Sequence, residues 1–169
     1  RDRSVSRGLG DVYKRQVMER KQTAELTNLV MVYDDSGNVL VEEKVGSNYR
    51  GLIFPGGHVE PGEAFVDSAI REIREETCLI IKNVELCGVK DWVEFDGSRY
   101  IVFLYKTNEF SGDLTSSDEG KVFWMPLEEL RKAENKLWHL DQMLDLFCGN
   151  TYSELYFNRN DSAIEPILK

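Results

Sequence analysis

Glu72, Glu75 and Glu76 fall within one short stretch, Arg71-Glu72-Ile73-Arg74-Glu75-Glu76. Residues three and four apart on a helix share a face, so a helix here gathers the three carboxylates on one side. Carboxylates brought together repel one another unless a cation lies between them, and hard divalent cations such as Mg²⁺ take oxygen ligands of this kind. The plainer alternative is a solvated acidic helix face. Two features weigh against it. The cluster lies towards the helix C-terminus, where the dipole disfavours anions. No cation follows at i+4 to offset it, since Cys78, Leu79 and Ile80 come next. Upstream stands a glycine turn, Gly56-Gly57-His58-Val59-Glu60-Pro61-Gly62-Glu63.

The helix that carries the glutamates is expected to start near Glu63, after the Pro61-Gly62 turn, where acidic residues complement the dipole. Phe65, Val66, Ala69, Ile70 and Ile73 recur at helical spacing and form its expected buried stripe. At 100° per residue the glutamates centre roughly 100° round from that stripe, on a wall at the edge of the core. Residues 26–33 and 39–45 are apolar and β-branched, and with the turn formers 34–38 between them they read as a hairpin. A loop at 46–48 leads to Leu52-Ile53-Phe54, a short strand stopped by Pro55 and the glycine pair. Residues 79–93 hold one or two strands broken near Asn83. A turn at Asp96-Gly97-Ser98 precedes residues 100–106, an apolar strand expected to be buried on both faces. Residues 111–113 and 116–120 read as loops around a short edge segment, and 121–125 as a strand ended by Pro126. Residues 127–130 read as a helical turn, and 138–148 as a second helix closed by Gly149-Asn150 as its C-cap. Residues 152–157 and 164–168 make a final hairpin. This order predicts an α/β (α+β) fold, with a mixed β-sheet sandwiched between helices.

At 169 residues and 41% hydrophobic content, the chain suits one domain with a substantial core. A formal charge of −9 gives no general attraction to nucleic-acid polymers or anionic membranes. No run approaches the ~20 apolar residues of a membrane span. An anionic ligand therefore needs a metal or a local basic patch. Cys78, Cys87 and Cys148 are an odd, sparse set without metal-binding spacing, which points to a reducing cytoplasm. Residues 1–16 are basic, against the trend of the rest. Residues 1–17 are expected to be a non-native or disordered leader, leaving 18–169 as a single domain.

Gly57, five residues, Glu63, seven residues and then Arg-Glu-Ile-Arg-Glu-Glu-Thr-Cys-Leu resemble the Nudix box, G-x5-E-x7-R-E-U-x-E-E-x-G-U with U bulky and apolar. Every defined position matches except Cys78, where the pattern has Gly. A helix-ending residue there often needs φ > 0, which costs a non-glycine residue about 1 kcal/mol. A looser likeness, from Leu26 to about Leu168, is to the MutT-type subgroup, which acts on oxidised purine nucleoside triphosphates. It rests on Phe54-Pro55-Gly56-Gly57, on Ser117-Asp118-Glu119 before Val122-Phe123-Trp124, and on the terminal helix and hairpin.

The resemblance implies a Nudix fold and hydrolysis of a nucleoside triphosphate such as 8-oxo-dGTP to the monophosphate and pyrophosphate. It implies Mg²⁺, with Mn²⁺ as an alternative, held by Glu72, Glu75, Glu76 and Glu119 with the Gly56 carbonyl. The same four glutamates and Arg71 form the implied catalytic group, and an Arg71–Glu63 ion pair holds the loop against the helix. Lys44 is a candidate phosphate contact, while Asn28, Trp138 and Asp141 are candidates for the nucleobase pocket. His58 and His139 have no ligand spacing and read as incidental. The implied state is a cytoplasmic monomer or homodimer. Two alternatives stay open: a Nudix hydrolase of ADP-ribose, dinucleoside polyphosphates or nucleotide sugars, and a non-catalytic Nudix-fold regulator. The presence of all three helix glutamates favours an enzyme.

Overall fold

The computed structural model describes residues 21–45, 50–117, 120–158 and 165–169. In chain order the strands are β1 (Ala24–Val32), β2 (Asn38–Val45), β3 (Arg50–Ile53), β4 (Ile80–Lys82), β5 (Glu85–Val93), β6 (Arg99–Thr107), β7 (Glu109–Ser111), β8 (Gly120–Pro126), β9 (Glu154–Phe157) and β10 (Pro166–Leu168). Three helices are interposed: α1 (Phe65–Thr77), α2 (Leu127–Lys132) and α3 (Leu140–Cys148). The expected leader, the 46–48 loop and Glu119 fall outside the described residues.

A mixed five-stranded sheet runs β1-β6-β5-β9-β10, with β1 parallel to β6 and β5 parallel to β9. A three-stranded antiparallel sheet, β3-β2-β8, lies beside it, and β4 pairs with β7. The expected hairpin of the first two strands is therefore corrected. Among the described residues their one ladder contact is the Tyr33↔Val39 bridge, after which they enter different sheets. Asp34 shapes the turn by accepting bonds from the Ser36 and Asn38 N–H groups. One edge of β1 is taken by β6, and backbone bonds to Pro55, Gly57 and Val59 occupy the other.

Side-chain alternation along the large sheet separates two apolar clusters. Leu29, Val102, Leu104 and Leu155 face α3, where Leu140, Met143, Leu144 and Phe147 pack. Val30, Val32 and Tyr105 face α1, meeting Ala69 and Ile73. The strand over 100–106 is covered on both faces as expected, although several of its residues keep partial exposure.

Helix α1 begins two residues after the expected start, and its stripe is also shifted. Ser68, Ala69, Ile73, Glu76 and Thr77 are buried, while Phe65 and Val66 are 42% and 41% exposed. The inward position of the first turns is taken by Ser68, whose hydroxyl accepts the Asn28 amide N–H at 2.8 Å. Phe65 lies outside and stacks on Phe103 at 4.4 Å. Cys78 ends the helix at φ 61, as the sequence implied, with its N–H on the Arg74 carbonyl. Helix α3 starts later than expected, because Trp138 and His139 both hold positive φ, 51 and 65. Gly149 is not a left-handed cap either, since its φ is −99. Glycine is needed there for space: a Cβ would lie 2.4 Å from the Asp145 carbonyl oxygen.

Candidate active site

The glycine turn is fastened to the edge of β1. Asn28 N–H donates to the Gly57 carbonyl at 2.8 Å, Val30 N–H to Pro55 at 2.9 Å, and Val59 N–H to Leu26 at 2.9 Å. Gly56 has φ 150, and a Cβ on it would lie 2.3 Å from the Asn28 carbonyl oxygen. A Cβ on Gly57 would lie 2.5 Å from the Glu72 carboxylate. The missing side chains thus let backbone approach backbone at Gly56, and let a carboxylate lie against the turn at Gly57. Glu76 is 3% exposed, and its Oε2 accepts the Gly56 N–H at 2.8 Å. Glu76 therefore bonds α1 to the turn, and Glu72 packs against it.

Arg71 is the hub on the outer side. It donates to Glu63 at 2.8 and 2.9 Å, to Glu72 at 2.9 Å, to Glu75 at 3.1 Å and to the His58 carbonyl at 2.9 Å. These bonds raise the Arg71 pKa above its ordinary value, the Glu63 bond most of all. Glu63 is held down at about 2, chiefly by the Arg71 bond and then by the Glu60 N–H. The implied ion pair is present. The cation that offsets the cluster is Arg71, which stands four residues before Glu75 rather than after it.

Lys44 reaches the same region from β2, 3.2 Å from Glu42 and 3.8 Å from Glu76. Glu42 is 1% exposed and was absent from the sequence-derived set. A charged pair, Glu42-Glu43, in mid-strand was the available signal, but alternation alone does not tell which of the two turns inward.

The three helix glutamates share a side of α1 without converging. Among the described residues no three Asp, Glu, His or Cys side chains stand close enough to share one ion. The bonds explain it: Glu72 and Glu75 are drawn to Arg71, and Glu76 to Gly56 and Lys44. The donor chemistry nevertheless suits a hard divalent cation, since carboxylate oxygens from Glu72 and Glu76 flank a turn with no side chains to obstruct them.

From this turn a cavity of about 1250 Å³ extends across the α3-facing side of the large sheet. Lys44, Gly56 and Gly57 lie along it, as do Trp92, Tyr100 and Phe157. Trp92 and Tyr100 stack at 4.4 Å with an interplanar angle of 6°. Trp138 and Asp141, both candidates from sequence, line the same cavity. Trp138 is 42% exposed, and Asp141 pairs with Lys136 at 3.3 Å. Asn28 also lines it, but its amide nitrogen is bonded to Ser68 on α1. His139, expected to be incidental, is part of the wall and sits 4.7 Å from the Phe157 ring. Burial and the neighbouring Lys90 charge lower its pKa. His58, also expected to be incidental, lines the cavity too, and its ring bonds to the exposed Glu25.

Sequence reasoning missed Lys90, Trp92, Tyr100 and Phe157, which come from three strands and carry no motif. The one signal was a charged pair, Lys90-Asp91, in the middle of a strand.

A profile of the NUDIX domain family matches residues 25–147. The uncharacterized Nudix hydrolase YvcI of Bacillus subtilis (strain 168) is 33% identical over 111 residues, which cover 63% of this chain and 68% of that protein. An ADP-ribose pyrophosphatase of Methanocaldococcus jannaschii is 28% identical over 92 residues, covering 53% of this chain and 54% of that relative, so the match spans about half of it. A crystal structure of the mutator MutT protein from Bacillus halodurans matches with a TM-score of 0.68 at 25% identity, covering 85% of this chain and 97% of that one.

Proposed function

Since this chain belongs to the NUDIX domain family and is thereby a hydrolase of pyrophosphate bonds, we propose that it is a nucleoside triphosphate pyrophosphohydrolase. Its substrate is 8-oxo-dGTP or a related oxidised purine nucleotide of the cytoplasmic pool, and its products are the monophosphate and pyrophosphate. One observation carries the reading. The cavity is continuous from the Gly56-Gly57 turn and Lys44 at one end to the stacked Trp92 and Tyr100 rings. The first end offers backbone and charge to a polyphosphate, and the second offers aromatic faces to a base.

Glu72, Glu75 and Glu76 would hold Mg²⁺ or Mn²⁺ with the Gly56 carbonyl, and Glu119 would add a further carboxylate. Bound there, the metal supplies charge neutralisation for the phosphates and a lowered pKa for the attacking water. Arg71 keeps Glu63, Glu72 and Glu75 in fixed positions, so the loop and the helix move as one piece. Lys44 supplies positive charge beside the turn, where a phosphate oxygen would otherwise face an acidic protein. A glutamate of this group accepts the proton of the attacking water.

The test is a panel of nucleotides with Mg²⁺, following pyrophosphate and phosphate separately. Pyrophosphate release, highest for oxidised purine triphosphates, is expected. Phosphate without pyrophosphate, or no turnover, would overturn the proposal. ADP-ribose belongs in the panel because the M. jannaschii relative bears that activity in its name.

A further inference from the structure

The floor of the cavity contains a cation that the reaction does not use. Lys90 lies in the middle of β5, and alternation places it with Trp92 on the face covered by α3. It is 6% exposed. Its ammonium donates to the Trp138 carbonyl at 2.6 Å and lies 5.5 Å from the Trp92 ring centroid and 5.3 Å from that of Phe157. Among the described residues, no carboxylate lies within ion-pair distance of it. Burying an ammonium without a counter-charge is costly. The two cation–π contacts and one carbonyl bond recover part of that cost. An ammonium has three N–H donors, and the Trp138 carbonyl accepts one of them.

The phosphates are drawn to the other end, where the glycine turn and Lys44 lie. The aromatic surroundings of Lys90 suit a flat ring. A charged donor beside such a ring favours a carbonyl oxygen on its edge and disfavours an exocyclic amine, which would point N–H at N–H. We propose that Lys90 is the specificity-determining residue of the cavity, donating to a carbonyl oxygen of the bound purine and selecting 6-oxopurines over 6-aminopurines. The inference rests on the preceding reading that a nucleoside fills the cavity. The burial that holds the lysine pKa down at about 8 leaves the amine largely protonated at neutral pH, as the donor role requires.

Inosine and adenosine nucleotides differ at the purine 6-position, carbonyl against amine, and at the adjoining ring nitrogen. The wild-type protein is expected to bind IMP more tightly than AMP by calorimetry with Mg²⁺ present, and to hydrolyse ITP with a higher kcat/KM than ATP. Lys90→Met keeps the side chain out to Cε and removes the ammonium donor. It should lower both ratios by about tenfold or more, the worth of one charge-assisted hydrogen bond. Lys90→Gln, with a neutral donor, should fall between. Circular dichroism checks that each variant is folded. An unchanged IMP-to-AMP ratio in folded Lys90→Met, or a wild-type preference for AMP, overturns the assignment. A crystal structure of the wild-type protein with IMP decides it without any variant: O6 within hydrogen-bond distance of Lys90 Nζ supports the assignment, and a base placed elsewhere overturns it. Failure to hydrolyse any triphosphate overturns the function proposed above and leaves the monophosphate ratio to decide Lys90.

Discussion

The two ends of the cavity are built on opposite plans. The glycine–glutamate platform is local: Gly56, Gly57, Glu63, Arg71, Glu72, Glu75 and Glu76 lie within one turn and one helix, and their bonds are short and charge-assisted. The aromatic floor is assembled from β5, β6, β9 and the lead into α3, and its buried Lys90 rests on ring faces and one carbonyl. The platform's charges are nearly all compensated by one another, whereas Lys90 is compensated by weak, non-ionic contacts. The difference teaches where each kind of information is stored. Metal-assisted attack on a diphosphate needs ligands at set spacing, which a helix provides from a short sequence. Selection among flat rings needs surfaces from several elements, which only packing provides.

If the platform governs chemistry and the floor governs choice, Glu76→Gln should show the largest effect. Turnover of every nucleotide should fall by roughly a hundredfold or more, with the order of preference unchanged and the far-ultraviolet spectrum intact. Near-normal turnover would remove Glu76 from the principal ligands, and a reordered preference would break the division between the two regions.

The next effect concerns stability at the floor. Burial holds the Lys90 pKa down at about 8 in the folded protein, against 10.5 for an ordinary lysine. Between those values the unfolded chain binds more protons, so stability should rise with pH across that window. His139, whose pKa is lowered by burial and then by the Lys90 charge, is a neighbouring titratable group and stays neutral there. Below pH 8 the full burial cost is present, so Lys90→Met should be more stable by up to about 3 kcal/mol at pH 7, and the gain should vanish by about pH 10.5. Urea unfolding of both proteins at pH 7 and 10.5 measures it. A constant difference would show that the lysine is solvated, and would weaken the contrast with the platform.

The smallest effect tests the end of the platform helix. Cys78 occupies a left-handed position at φ 61, so Cys78→Gly should add about 1 kcal/mol, roughly 2–4 °C in Tm, and leave substrate preference unaltered. A change in preference would mean that the helix exit angle reaches the floor.

Much of the platform was legible because its geometry is short-range. The spacing of Glu72, Glu75 and Glu76 fixed their common side, and the Gly56-Gly57 pair fixed the turn. The bond partners were less legible. The sequence pairs Arg71 with Glu63 alone, yet its fork also reaches Glu72, Glu75 and the His58 carbonyl, because a guanidinium has donors enough for several acceptors. Phe65 and Val66 fitted the helical stripe, but the contact between Ser68 and Asn28 turned that part of the helix by its polar side.

By itself, then, the amino-acid sequence determined the family, the reaction class and the side of the helix that carries the carboxylates, since each depends on spacing along one continuous segment. Only the tertiary structure decided that the first two strands enter different sheets, that Glu42 turns inward, and that Lys90 lies buried among Trp92, Phe157 and the Trp138 carbonyl. Those outcomes depend on which edges pair and which faces are covered, and pairing between distant segments is set by packing of the whole chain rather than by the residues on either side.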